Sequence, residues 1–251
     1  MAEKAEKDTG KSKRLRERFA LTLPVRVKGR ESVDHEWTET SRLVDVTPFG
    51  ARLRLSRPTE PGRLLHLTLP MPRPLRCYDH VEDQYRVWSL VRNVKLIDPG
   101  TSKGAVVEVG LAFVGKRAPR SFESDPTRRY EIAKSITEGL WSVKEDSGES
   151  LSEMSATDKR KDTRHTIPVG VVIELFDKHP DLPHSESTVT ENISRLGATV
   201  FTTLQVERGR FVKVSSAQHG ISVLAAVRGR RAGPDGIPRL HLEFVSGEWP
   251  L

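Results

Sequence analysis

The run Asn192-Ile-Ser-Arg-Leu-Gly-Ala-Thr-Val-Phe201 passes from a turn into a strand-like alternation of residues. An Asx residue followed by a hydroxyl and a glycine is typical of a tight turn, because short polar side chains bond to nearby backbone groups. After Gly197 the residues alternate in the way that predicts a strand with one buried face. Upstream, Arg160 and Arg164 form an Arg-x-x-x-Arg pair that ends 28 residues before Asn192.

The first half of the chain carries the same arrangement in the same order. Arg14 and Arg18 form the pair, and Asp45-Val-Thr-Pro-Phe-Gly-Ala51 begins 27 residues after Arg18. This copy differs at one motif position, because Thr47 stands where the second copy has serine, and Pro48 follows it. Since the motif recurs with its strands and turns in order, the chain is predicted to be a tandem repeat of one unit.

Short strand-like runs and turn signals follow each motif. The first copy closes on a strand that ends in Phe113, and the second closes in the same way on Phe244. From motif glycine to closing phenylalanine the copies span 63 and 47 residues, and the extra length lies in a Pro- and charge-rich stretch at 71–84 that predicts an enlarged loop. Period-two runs between close Pro and Gly turns predict a mainly β fold, with a small antiparallel β-barrel in each half.

The segment between the copies differs in character from both. Asp125-Pro126 matches an N-cap followed by a first-turn proline, and apolar residues recur at helical spacing at Ile132, Ala133, Ile136 and Leu140. This pattern predicts a connecting helix that ends near Val143, followed by a flexible, Ser-rich polar linker at 145–159. The predicted domains are an N-terminal unit at 1–120, the helix and linker at 121–158, and a C-terminal unit at 159–251.

The composition fits two small sheet-based units. The chain has 251 residues, of which 36% are apolar and 30% are charged, and its mean hydropathy is -0.48. That apolar content is low for one large core but sufficient for strands that bury a single face. No apolar run approaches the ~18 residues of a membrane-spanning helix, and the charged N-terminus has no apolar signal core. Cys77, the only cysteine, excludes an internal disulfide. We therefore expect a cytoplasmic protein without membrane insertion.

Positive charge is concentrated at the N-terminus. Residues 1–30 hold ten Lys and Arg against four acidic residues, so this arm carries +6 of the chain's formal +7. Such a concentration favours an anionic partner, which could be nucleic acid. On charge alone, however, a solvated tail is the favoured interpretation.

The motif residues together suit a guanine nucleotide that carries phosphate. A guanidinium donates bidentately to the O6/N7 edge of guanine, stacks on its face or holds a phosphate. An Asp or Asn oxygen accepts from the N1 and N2 hydrogens of guanine, and a Ser or Thr hydroxyl shapes the turn through a local backbone bond. The glycine permits positive φ or a close backbone approach where the strand begins. Each part is common alone, and their recurrence in order makes them informative.

On these residues the second copy resembles a PilZ domain, whose signature is Arg-x-x-x-Arg followed by Asp/Asn-x-Ser-x-x-Gly. The first copy is similar, and Arg18-Phe-Ala-Leu-Thr-Leu-Pro-Val-Arg-Val27 and Gly50-Ala-Arg-Leu-Arg-Leu55 also read like sequence of this family. The resemblance implies two six-stranded antiparallel β-barrels of the split-barrel type, joined by the helix and linker. It further implies a non-catalytic receptor for the bacterial second messenger cyclic di-GMP.

The resemblance also assigns ligand-binding positions, which are Arg160, Arg164, Asn192, Ser194 and Gly197 in the second copy and Arg14, Arg18, Asp45, Thr47 and Gly50 in the first. The arginines would hold guanine and phosphate, the Asx residue would read a guanine edge, and the other two would shape the turn. A ligand that clamps the arginine-bearing segment would order the linker and change the domain arrangement, and so regulate a protein partner. The number of ligands per site, one molecule or a stacked pair, stays open.

Two alternatives to a ligand receptor remain. One is a basic nucleic-acid-binding protein that uses the arm and the barrels, since small barrels commonly bind single strands. The low aromatic content, 6% of residues, disfavours it. The other is a PilZ-like adaptor that binds protein and no ligand. The histidines show no two-His metal spacing and no catalytic constellation is evident, so we expect no enzyme activity, no metal and no cofactor besides the ligand.

Overall fold

A computed structural model of the chain describes residues 18–98, 106–133, 142–145, 163–176 and 184–251. The fold is mainly β and contains two closed six-stranded antiparallel barrels, as the sequence predicts. None of the helices in these ranges has the length and the apolar character needed to cross a membrane.

The first barrel is built from the first six strands of the chain. They are β1 (Pro24–Arg30), β2 (Glu36–Thr47), β3 (Gly50–Leu55), β4 (Leu64–Leu69), β5 (Tyr85–Asp98) and β6 (Val106–Gly115). The strand order is β1-β2-β3-β6-β5-β4, and pairing of β1 with β4 closes the barrel. Alternate side chains such as Val25 and Val27 point into the core. The predicted enlarged loop lies between β4 and β5 and contains a short 3-10 helix (Arg73–Leu75).

The segment after this barrel does not form the predicted connecting helix. A short helix, α1 (Arg120–Ser124), ends where the long helix was expected to begin. Two strands, β7 (Tyr130–Ala133) and β8 (Ser142–Glu145), then pair as a separate antiparallel sheet. The carboxylate of Asp125 accepts bonds from the backbone N–H and the hydroxyl of Thr127, at 2.9 and 2.6 Å. Asp125-Pro126 therefore forms an Asx turn instead of a helix N-cap.

Tertiary packing explains why residues with helical spacing form strands here. Ile132 pairs with Val143 across the small sheet, and both lie against an apolar cluster on the outside of the first barrel. The N–H of Tyr130 donates to the carbonyl of Gly62 at 2.8 Å, which ties the strand to the barrel. An apolar surface that already exists can select strand over helix for a short apolar run. Residues 134–141 and the predicted linker beyond Glu145 lie outside the described residues.

The second barrel repeats the first. Its strands are β9 (Gly170–Leu175), β10 (Ser185–Ser194), β11 (Gly197–Phe201), β12 (Phe211–Ser216), β13 (Ile221–Ala232) and β14 (Pro238–Phe244). The order is β10-β11-β14-β13-β12-β9, and β9 pairs with β10 to close the barrel. The hairpin β10–β11 corresponds to β2–β3 in the first barrel, so the Asx turn occupies the same place in both copies.

The two barrels contact each other directly. Phe211, Leu224 and Ala226 on the second barrel join the apolar cluster of the first. Glu60 of the first barrel is fully buried and forms an ion pair with Arg228 of the second. The barrels are therefore joined by a packed interface as well as by the chain between them.

Candidate functional site

A bulge turns the Asx residue of each copy out of its barrel. In β2 the register with β3 shifts between Leu43 and Asp45, and in β10 the register with β11 shifts between Thr190 and Asn192. Side chains alternate along a strand, so without an inserted residue Asp45 would face the core as Leu43 does. The bulge turns Asp45 and Asn192 away from the core, while the residue that follows each is fully buried in it. Asn192 is half-buried on the outer side, and Asp45 is buried there beneath its arginine partners.

The hydroxyl of each motif closes the turn in the same way. In the second copy the Ser194 hydroxyl accepts from the N–H of Leu196 and donates to the carbonyl of Gly197, both at 3.3 Å. In the first copy the Thr47 hydroxyl accepts from the N–H of Phe49 at 3.2 Å and donates to the Gly50 carbonyl at 3.3 Å. The substitution of threonine for serine therefore leaves this turn unchanged.

The motif glycines are required by a close approach of two strands. A Cβ at Gly197 would stand 2.4 Å from the carbonyl oxygen of Leu242 on β14. At Gly50 it would stand 2.2 Å from the carbonyl oxygen of Leu111 on β6. Neither glycine has positive φ. Of the two roles that a glycine could play here, the structure selects the close backbone approach.

The second arginine of each pair contacts the Asx residue across the turn. Nη1 of Arg164 donates to Oδ1 of Asn192 at 3.3 Å. Nη1 of Arg18 donates to Oδ2 of Asp45 at the same distance. The two halves of the motif, far apart in sequence, thus meet on one surface in both copies. The first arginines, Arg14 and Arg160, lie outside the described residues.

Backbone bonds hold the segment that leads into each barrel. His165 follows Arg164 and exchanges two hydrogen bonds with Ile193, at 2.8 and 2.9 Å. In the first copy Phe19 and Val46 exchange the equivalent bonds at 2.9 and 3.0 Å. Each lead segment is therefore fixed beside the Asx residue by the positions next to the motif, and the arginine side chain is brought over the turn.

The second copy adds two residues that the motif does not contain. Thr199 pairs with Asn192 in register, and its hydroxyl lies 3.2 Å from Nδ1 of His241 on β14. Burial lowers the pKa of His241, and the positive charges of Arg231 and Arg164 lower it further, while Glu191 opposes them. A neutral imidazole at this place can donate or accept a hydrogen bond beside the arginine. The signal for Thr199 was its polar place in the alternating run after Gly197, although the structure buries its side chain completely. Nothing in the sequence marked His241.

The first copy adds an arginine at the matching position. Arg52 pairs with Asp45 in register and donates to its carboxylate from Nε at 2.9 Å and from Nη2 at 2.5 Å. This contact lies outside the motif, and its one signal in the sequence is the outward position of Arg52 in the alternating run after Gly50. Over the part of the chain that the structure describes, no group of three or more His, Cys, Asp or Glu could hold a metal ion.

The chain is similar to solved structures, but no relative was found by its sequence. No protein-family model matches the chain, and no curated protein matches it. The chain is similar to the Bacillus subtilis inhibitor of motility (MotI/DgrA), with 14% identity and a TM-score of 0.30 over 91% of this chain and 90% of that one. It is similar to Borreliella burgdorferi PlzA in complex with c-di-GMP, with 9% identity and a TM-score of 0.27 over 94% and 89%. It is also similar to Escherichia coli YcgR in complex with c-di-GMP, with 13% identity and a TM-score of 0.28 over 89% and 76%. Because these identities and TM-scores are low, the two-barrel architecture is established by the strand pairing of this chain and not by these similarities.

Proposed function

We propose that the protein is a non-catalytic, cytoplasmic bacterial receptor for cyclic di-GMP, which binds at the motif of the second barrel. The observation that carries the proposal is the contact of Arg164 with Asn192 above the Ser194–Gly197 turn. It supports the proposal because a guanidinium and an amide oxygen, the two groups that read a guanine, share one outer surface. Arg160 is the further arginine that we assign to the ligand, by its place in the motif.

Each residue has a separate task in this proposal. The arginines bind the guanine edge and the phosphates. Asn192 accepts hydrogen bonds from guanine N1 and N2, and its own N–H groups can donate to the ligand. Ser194 and Gly197 hold the turn that aims Asn192 outward. None of these roles involves proton transfer or covalent chemistry, so we propose a binding site.

Ligand binding would act through the segment that carries the arginines. The bonds between His165 and Ile193 already hold the end of this segment, so a dianion bound by Arg160, Arg164 and the Asn192 turn would act on the part that precedes Arg164, and the free energy of ordering that part subtracts from affinity. The segment joins the two barrels, so its ordering is the route by which the ligand changes the domain arrangement and regulates a protein partner. Slower trypsin cleavage after Arg160 and Lys161 at saturating ligand is the expected result, and unchanged cleavage contradicts this route.

Calorimetric titration of the full chain tests the binding itself. A bidentate arginine–guanine contact is worth ~1–3 kcal/mol. Arg164→Ala should therefore weaken cyclic di-GMP binding by about tenfold to a hundredfold, at ~1.4 kcal/mol per decade. Arg208→Ala, which removes an exposed arginine of the same barrel, is the matched control and should bind like the wild type.

Parallel titrations define the ligand. Cyclic di-AMP lacks the O6 acceptor and the N1 and N2 donors of guanine, so it should bind much more weakly than cyclic di-GMP. A linear guanine dinucleotide tests the need for the closed ring. If cyclic di-GMP produces neither heat nor a shift in melting temperature, the protein is not its receptor, and the ligand-free adaptor becomes the better interpretation.

A further inference from the structure

The two copies differ at one strand position that faces the motif. Arg52 in the first copy and Thr199 in the second each lie two residues after the motif glycine. Each is also the register partner of the Asx residue, Asp45 or Asn192. The side chain at this position therefore decides what lies beside the Asx oxygen.

Arg52 occupies that space in the first copy. Its Nε and Nη2 both donate to Oδ2 of Asp45, at 2.9 and 2.5 Å, and Arg18 donates to the same oxygen at 3.3 Å. On its other side Arg52 donates from Nη1 to Glu108 of β6 at 3.1 Å. The guanidinium is thus held between two carboxylates on two strands, and the hydrogen bond to Asp45 raises its pKa.

Thr199 in the second copy is fully buried and contacts another strand instead of the Asx residue. Its hydroxyl contacts His241, so it makes no bond to Asn192. Among the described residues, the side chain of Asn192 makes one hydrogen bond, which Arg164 donates to Oδ1. Asn192 therefore keeps hydrogen-bonding capacity for a ligand, since an amide has two acceptor sites and two donors.

Arg52 and a guanine would compete for the same carboxylate. Arg52 directs two N–H groups at Oδ2 of Asp45, the kind of acceptor that guanine N1–H and N2–H require, and it adds a full positive charge. A group on the neighbouring strand also competes intramolecularly, at an effective concentration of about millimolar or more.

We infer that Arg52 closes the first copy by holding Asp45 in the contact that a guanine edge would make, so that the chain has a single cyclic dinucleotide site, in the second barrel. The inference rests on the proposed function. It makes Arg52 and Thr199 the residues that determine whether each copy binds a cyclic dinucleotide. Thr47 has no such effect, because the turn it forms matches that of Ser194.

Opening the first copy tests the inference in the full chain. Arg52→Thr is combined with Arg164→Ala, so that the second site is weakened and any new binding belongs to the first. We expect cyclic di-GMP to bind the double variant at least about tenfold more tightly than Arg164→Ala alone. Arg54→Thr in the same background is the control, because Arg54 lies on the same face of β3 and contacts Glu108 but not Asp45.

The outcomes separate the inference from the proposed function. Two equivalent sites in the wild type, or no gain in the folded Arg52→Thr double variant, overturn the inference and leave the receptor function standing. Absence of binding by the wild type and by Arg52→Thr overturns the receptor function and the inference with it. A melting curve confirms that each variant folds, and Arg52→Met, which keeps much of the side-chain volume but has neither charge nor N–H donors, should give the same gain.

Discussion

Arg228 of the second barrel forms a bidentate ion pair with Glu60 of the first, a carboxylate with no exposed surface. Nη1 donates to Oε1 at 3.2 Å and Nη2 donates to Oε2. Nε of Arg228 also donates to Glu243 at 2.6 Å, and Arg129 donates to the other oxygen of Glu243 at 3.2 Å. An ionic network thus connects the two barrels and reaches β14, the strand that pairs with the motif glycine.

Loss of Arg228 should destabilise the protein strongly. Arg228→Ala leaves the buried charge of Glu60 without its main partner, and breaking a buried ion pair in this way costs about 3–5 kcal/mol. Denaturant unfolding followed by tryptophan fluorescence measures the change. Arg230→Ala, at an exposed position that contacts Gln205, is the control and should change the free energy of unfolding little. Equal effects of the two variants would show that the interface contributes no stability in solution.

Acid should weaken the same network through Glu243. Burial raises the pKa of its carboxyl, but the charges of Arg228 and Arg129 and the bonds they donate outweigh burial, so the pKa lies below its ordinary value of 4.5. The unfolded chain then takes up the proton at a higher pH than the folded chain. The stabilisation is therefore complete above about pH 4.5 and is lost as the pH falls below it.

Unfolding free energies of the wild type and Glu243→Gln check this dependence. The variant should be less stable near neutral pH, and the difference should shrink from about pH 4.5 towards pH 3. Glu207→Gln removes an exposed carboxylate of the same barrel and is the control. A constant difference between wild type and Glu243→Gln at all pH values would contradict the assigned pKa shift.

The strands and the motif could be predicted from the sequence because their signals are local. Alternation, glycine turns and the Asx-hydroxyl-glycine string act over a few residues, and the Ser194 and Thr47 turns form as the string predicts. The resemblance implied that Arg164 and Asn192 share a site, and the same pair recurs in the first copy at a spacing of 27 residues instead of 28. Whether Arg14 and Arg160 join them stays a prediction.

Features that depend on neighbouring strands or on the other barrel could not be predicted. Arg52 reads as one outward residue of an alternating run, and only the register with β2 and β6 shows that Asp45 and Glu108 hold it. Glu60 reads as part of a turn signal in the sequence, and only the fold shows that it is buried and paired with Arg228 of the other barrel. The prediction of a connecting helix was wrong for the same reason, since Ile132 is partly buried against a surface that the segment itself does not encode.

The motif glycine of the second barrel allows a test of geometry without a change of charge. Gly197→Ala would place a Cβ 2.4 Å from the Leu242 carbonyl oxygen, so β11 and β14 must separate. We expect a loss of about 1–3 kcal/mol in stability, as for other overpacked sites, and weaker cyclic di-GMP binding because the Asn192 turn shifts. Gly170→Ala on β9 is the control, since no atom lies within 4 Å of its added Cβ. Unchanged affinity in Gly197→Ala would show that the turn does not position the ligand.

Salt dependence distinguishes a dinucleotide receptor from a nucleic-acid-binding protein. The chain has a formal charge of +7, concentrated in its first 30 residues, so some retention of DNA at low salt is expected on charge alone. Binding to duplex DNA releases condensed counterions, and affinity falls with a log–log slope of about −0.9 per phosphate contacted. A cyclic dinucleotide has two phosphates and no dense counterion layer, so its affinity should fall only shallowly. Titrations of both ligands at about 50 and 200 mM salt compare the slopes. Tight DNA binding at the higher salt, unaffected by cyclic di-GMP and by Arg164→Ala, would favour the nucleic-acid function instead.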